Sequence, residues 1–169
     1  LKRADRLLSN PHLGEERPLL YAAMASLLVR TNPCPTIIVD WSALDGRRRW
    51  HLLRAAIPIG GRTLTLMESV HPTSELGSAE VERQLLTDLK AMLPANCQPI
   101  VITDAGFGTP WFRAVTDCGW DYIGRVRRGI GVETTPGTWT SSSVLLAQAM
   151  TKPTRLDNVR FTRSSRWPC

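Results

Sequence analysis

The chain is 169 residues long, with a formal net charge of +6 and four cysteines. That length suits one domain with a sizeable core, and the absence of an apolar run of about eighteen residues excludes a helical membrane span. Cys34, Cys97, Cys118 and Cys169 show no C-x-x-C spacing, which argues against zinc and a secreted disulfide framework and fits a reducing cytoplasm.

Leu1 to Asn10 alternates charge and leucine, unlike a secretory signal. No methionine opens it, so the expectation is a piece of a longer protein. Glu15 to Val29 is rich in leucine and alanine, with helical propensity, and Thr31-Asn32-Pro33 ends it. Residues 1–35 thus read as a helical lead-in. Thr36 to Leu44 reads as a first strand. Asp45-Gly46 marks a turn, followed by Arg47-Arg48-Arg49. Trp50 to Ile59 is broadly apolar, Gly60-Gly61 is a hairpin turn, and Arg62 to Glu68 alternates polar and apolar. Strands joined by such tight turns predict an antiparallel meander.

The period then becomes helical. Ser78 is the expected N-cap, and Val81, Leu85, Leu86, Leu89, Met92 and Leu93 form one apolar stripe closed by Pro94. A buried strand, Pro99 to Asp104, follows. Ala105-Gly106-Phe107-Gly108 leads into a helix with Thr109 as N-cap and Pro110 as first helical residue. That helix ends at Gly119, and Trp120 to Val126 reads as a fifth strand. The expected class is α/β: a mixed five-stranded sheet, an antiparallel meander and then parallel strands, with flanking helices. A right-handed crossover sets the fourth strand beside and parallel to the first. Residues 36–128 hold this domain. Residues 129–169 are expected to be irregular, or the start of a β-rich insertion, with a short helix over Ser141 to Met150. The tail carries Arg155, Arg160, Arg163 and Arg166 with Phe161 and Trp167 between them.

Asp40 and Asp104 each end a run of β-branched residues, Thr36-Ile37-Ile38-Val39 and Pro99-Ile100-Val101-Ile102-Thr103. Such runs read as central strands buried on both faces. Neighbouring strands lie about 4.8 Å apart, so two strand-end carboxylates could share one cation. Mg2+ or Mn2+ takes hard oxygen ligands and keeps several waters, so two carboxylates suffice as an anchor. The plainer alternative is that one aspartate caps a turn.

Charge adds a second pointer. Residues 1–110 carry 12 Lys+Arg against 11 Asp+Glu, and residues 111–169 carry 9 against 4. Eighteen of the 21 basic residues are arginine, whose fork matches phosphate oxygens in pairs. This points to nucleic acid, although a GC-rich genome also favours arginine. Arg125, Arg127 and Arg128, at the end of the fifth strand, are candidate phosphate contacts or a solvated edge. Arg47-Arg48-Arg49, at a hairpin tip, reads as solvated. His12, His51 and His71 have no metal spacing, and Gly106 and Gly108 read as a strand-to-helix turn. No P-loop, dinucleotide fingerprint or nucleophile elbow is present.

Val39-Asp40-Trp41-Ser42 and Thr103-Asp104-Ala105-Gly106-Phe107, followed by Pro110-Trp111-Phe112, together resemble a known pattern. They are similar to the first and second acidic motifs of bacterial DDE insertion-sequence transposases, in the hairpin-forming cut-and-paste (insertion-sequence-four-like) group. Lys2-Arg3-Ala4-Asp5-Arg6-Leu7-Leu8, Gly61-Arg62, and Gly119-Trp120 leading to Arg125-Val126-Arg127 extend the resemblance over residues 1–128. It implies a ribonuclease H-like catalytic fold, with Asp40 and Asp104 as two members of an acidic triad holding two Mg2+ ions. It also implies double-stranded DNA as substrate: hydrolysis at a transposon end, then attack by the freed 3′-hydroxyl. A nucleoid-associated cytoplasmic protein that self-associates on DNA is the corresponding expectation.

The sequence departs from that pattern in places. The third carboxylate of the family lies in a Tyr/Arg/Glu/Lys signature, which is absent here, and Glu133 before Thr134-Thr135-Pro136-Gly137 is no match. The family's amino-terminal DNA-recognition region is missing too. The expectation is therefore a truncated transposase, inactive alone. The competing readings are a non-catalytic DNA-binding or interaction remnant, and a different ribonuclease H-like nuclease using Glu68 as its last carboxylate.

Overall fold

β-branched residues concentrate in two runs, Ile37 to Val39 and Ile100 to Ile102, and these become neighbouring strands at the centre of a sheet. The computed structural model describes residues 2–30, 32–157, 159–161 and 165–166. It divides into two units, Leu1–Ile123 and Gly124–Cys169.

The first unit opens with α1 (Lys2–Leu8) and α2 (His12–Val29); both lie within the stretch read as a helical lead-in, and α2 starts before Glu15. The meander follows as β1 (Thr36–Ala43), β2 (Trp50–Ile59) and β3 (Arg62–Pro72). Gly60 and Gly61 turn between β2 and β3 with φ of 56° and 78°. Two successive left-handed residues suit a two-residue hairpin, and glycine adopts them without steric cost. A 3-10 turn (Thr73–Glu75) leads to α3 (Ala79–Met92), β4 (Ile100–Thr103), α4 (Thr109–Asp117) and β5 (Asp121–Gly124).

The sheet order is β3-β2-β1-β4-β5. β4 runs parallel to β1, pairing Thr36 with Ile100, Ile37 with Val101, Ile38 with Ile102 and Val39 with Thr103. The expected mixed sheet is therefore present. Ile37, Val39, Leu53, Ala55, Leu66 and Val101 share one core with Ala25 and Val29 of α2, Leu85, Leu86 and Leu89 of α3, and Trp111 and Val115 of α4. The central strands are buried on that face alone. Ile38 and Ile102, which alternate to the opposite face, are only half-buried, which corrects the two-sided expectation.

Two strand lengths also differ from the sequence reading. β3 continues past Glu68 to Pro72, where Ser69 to Pro72 pair with Leu53 to Trp50, and a bulge opposite Ala55 and Ala56 inserts Leu66, which breaks the period-two pattern. β5 stops at Gly124. Gly124 adds no side chain to pack, and the charged Arg125-Val126-Arg127-Arg128 lies outside the strand.

The second unit is antiparallel: β6 (Gly131–Thr135), β7 (Thr138–Ser141), α5 (Ser142–Ala147), β8 (Arg160–Phe161) and β9 (Ser165–Arg166), with strand order β7-β6-β8-β9. Ser141 caps α5, its hydroxyl accepting from the Ser143 amide at 3.2 Å. Glu133, only 6% exposed, accepts from Arg160 Nη1 at 2.8 Å and from the Gly137 amide at 2.7 Å. Arg163 and Trp167 lie outside the described residues.

Leu86 is 1% exposed, so Leu86→Ala should cost about 2–5 kcal/mol. Urea unfolding should show a lower midpoint with an unchanged slope. Leu146→Ala, at a residue 53% exposed, should stay within about 0.5 kcal/mol.

Candidate metal centre

Val39 and Thr103 form the last rung of the parallel pairing. Asp40 and Asp104 are the next residue on each strand, so both carboxylates emerge one step past a shared rung, on strands about 4.8 Å apart. Asp40 still lies within β1 and is half-buried, while Asp104 sits just beyond β4 and is exposed. The structure thus brings these two sequence candidates together.

Each carboxylate is oriented by one local hydrogen bond. Ser42 Oγ donates to Asp40 Oδ2 at 2.7 Å; two residues along a strand share a face, so the hydroxyl reaches its neighbour directly. The Gly106 amide donates to Asp104 Oδ1 at 2.7 Å, closing a turn of the kind aspartate favours after a strand. A Cβ at position 106 would lie 2.9 Å from that oxygen. Glycine is therefore needed for close approach. Asp104 does cap a turn, as the plainer reading had it, but with one oxygen only. Asp40 Oδ1 and Asp104 Oδ2 make no hydrogen bond among the described residues.

Register names the neighbours. Asp40 pairs with Arg54 on β2, and Arg54 pairs with Glu68 on β3. Directly opposite residues share a face, so Arg54 lies on the same face of the sheet as Asp40. Glu68 is two strands away from Asp40, roughly 10 Å, and hydrogen-bonds Tyr21. This sets aside Glu68 as the third carboxylate of the pair, because β2 intervenes. No group of three or more His, Cys, Asp or Glu suited to a metal occurs among the described residues. Arg54 was missed in the sequence. Its signal is a lone charge inside an apolar run, but only the hairpin register aligns it with Asp40.

The opposite face of the strand end is also built. Trp41, next to Asp40, turns toward the core, where its Nε1 donates to Glu82 Oε1 at 3.3 Å. Its ring meets His71 edge-on at 5.5 Å. His71 in turn lies 2.8 Å from Glu75 Oε2 through Nδ1 and 2.7 Å from Ser69 Oγ through Nε2. Burial pushes the Glu82 carboxyl above its ordinary range, and the Trp41 N–H opposes this.

Arg125, Arg127 and Arg128 are exposed and follow β5 in the second unit; the Arg127 carbonyl accepts from Ser142 Oγ at 2.8 Å. Cys34, Cys97 and Cys118 are free thiols. No helix among the described residues is long and apolar enough to cross a membrane.

Compared with known families, residues 34–168 match the model described as transposase DDE domain. The match continues well past residue 128, where the motif resemblance fades. Among curated proteins the chain has no match.

Glu82 yields a test of the packing behind Asp40. A carboxyl raised in the fold keeps its proton while its unfolded counterpart ionises, so its contribution to stability is lost as pH rises from the ordinary glutamate range. Glu82→Gln retains an acceptor for Trp41 without that titration. It should be more stable than the parent at pH 7 in chemical denaturation, with the difference shrinking toward pH 4.

Proposed function

The chain belongs to the transposase DDE-domain family, and from that premise we propose that it is part of a cut-and-paste transposase of the hairpin-forming group, with Asp40 and Asp104 as two of its metal ligands. The family acts on DNA and depends on divalent metal, and the mixed sheet is its ribonuclease H-like fold. The observation that carries the reading is the register: two carboxylates, one step beyond the Val39–Thr103 rung, each oriented by one oxygen and with the other oxygen uncommitted.

Those donors fit a hard cation such as Mg2+ or Mn2+. When bound, a pair of such ions stabilises the attacking and leaving oxygens of a phosphodiester. The chain's own residues supply the frame. Ser42 orients Asp40, the Gly106 amide orients Asp104, and Trp41 holds the strand end from behind. In the proposed reaction, water cleaves the transposon-end phosphodiester and leaves a 3′-hydroxyl. That hydroxyl then attacks the opposite strand, forming a hairpin end and releasing the flanking strand with its own 3′-hydroxyl. A second water opens the hairpin and regenerates the transposon 3′-hydroxyl, which attacks target DNA and displaces a target 3′-hydroxyl. Arg125, Arg127 and Arg128 are proposed phosphate contacts from an exposed loop. The cytoplasm, with its DNA, is the proposed location, and self-association on DNA the proposed assembly.

A family site takes a third carboxylate, and none stands beside this pair among the described residues. We therefore propose that the 169-residue chain does not cleave DNA alone, since losing one catalytic group commonly removes several orders of magnitude in rate. The same observation favours a second reading, a non-catalytic DNA-binding remnant.

Purified chain should show weak Mn2+ binding by electron paramagnetic resonance, abolished by Asp40→Asn or Asp104→Asn, and no Mg2+-dependent nicking of duplex DNA. Nicking that disappears in Asp40→Ala would refute the proposed inactivity. Mn2+ binding indifferent to both substitutions would remove the ligand assignment.

A further inference from the structure

The β1–β2 hairpin overhangs the edge at which the two carboxylates emerge. β1 runs on past Asp40 to Ala43, and the Leu44 amide still bonds the Trp50 carbonyl at 2.9 Å, whereas β4 stops at Thr103. The hairpin tip, Asp45 to Arg49, therefore stands at least four residues beyond Asp40, roughly 13 Å at the usual strand rise.

The tip is rigidly tied. The Asp45 carboxylate accepts from the Arg49 amide at 2.7 Å and from Arg49 Nε at 3.2 Å. The Arg48 carbonyl accepts from Thr73 Oγ1 and lies 3.1 Å from His51 Nε2. The Thr73 amide donates to the Arg49 carbonyl at 3.0 Å. Within this frame Arg48 is left-handed, with φ of 53°, the only non-glycine residue so placed among the described residues. Glycine would hold that conformation without strain, and an arginine stands there instead. Arg49 is paired with Asp45. Arg47 and Arg48 are exposed and form no ion pair among the described residues.

We propose that Arg47 and Arg48 form a DNA-backbone clamp, contacting phosphates of the duplex whose scissile bond lies at Asp40 and Asp104. The inference rests on the DNA-acting reading above and adds a contact site to it. At 3.4 Å per base pair, an overhang of roughly 13 Å reaches phosphates about four base pairs from the scissile one. Arg49 serves the hairpin and not the DNA.

The test is the salt dependence of duplex DNA binding by the full chain, followed by fluorescence anisotropy. Each phosphate contact contributes about 0.9 to the slope of log K against log salt, so Arg47→Ala/Arg48→Ala should lower it by about 1.8, and Arg49→Ala should leave it unchanged. Arg48→Gly separates contact from fold: it should raise the melting temperature by relieving strain, yet lower the slope by about 0.9. If the parent chain binds with a salt-dependent slope that the hairpin variants do not change, the clamp is overturned and the transposase reading stands. If the parent chain shows no salt-dependent binding, both fall.

Discussion

Everything at the candidate site depends on the parallel pairing of β1 with β4. The two strands are joined through β2, β3 and α3, and parallel neighbours can be connected only by such a crossover. Register is fixed by what lies on the core face. Ile37 and Val39 of β1 and Val101 and Thr103 of β4 are all buried. Sliding β4 by one residue would turn Ile102 and Asp104 toward the core and Val101 and Thr103 away from it. A carboxylate in that apolar layer would be unpaired, at a cost of several kcal/mol. The hydrophobic packing that aligns the strands is therefore what brings two like charges to one edge.

Alternation along β1 separates the chemistry from its support. Asp40 and Ser42 share the outer face, and Trp41 between them is fastened to Glu82 and to the His71 ring on the other. The burial that raises the Glu82 carboxyl disfavours its charged form behind Asp40, and the Trp41 N–H opposes this.

The parts legible in the sequence were those set by local pattern. Two β-branched runs ending in aspartate gave the strands and the pair. Gly60-Gly61 gave a hairpin, and the leucine spacing gave α3, although Glu82 on its buried face went unread because its partner, Trp41, is 41 residues away. What escaped was whatever depends on register or on distant pairing. Arg54 aligns with Asp40 only through the hairpin count, and the Leu66 bulge is a break in alternation. The second sheet was legible only as irregular structure or the start of a β-rich insertion, because β8 and β9 are two residues each, too short for any period to register. The third carboxylate was sought as a motif, and Glu133, the one glutamate after Asp104 in the sequence, is instead engaged with Arg160.

Distance decides how the basic groups act on the carboxylates. At physiological ionic strength charges are screened over about 8 Å. Arg54, directly across from Asp40, lies within that range at the usual cross-strand spacing of about 5 Å. On the proposed metal-binding reading it would compete with a cation for Asp40. The hairpin arginines stand roughly 13 Å or more along the strand, beyond the screening length. On the proposed reading they are too distant to alter the affinity of the pair for a cation, while they present positive charge to a duplex along the same edge. The proposed cation site and the proposed phosphate contacts are thus electrostatically separate features of one sheet edge.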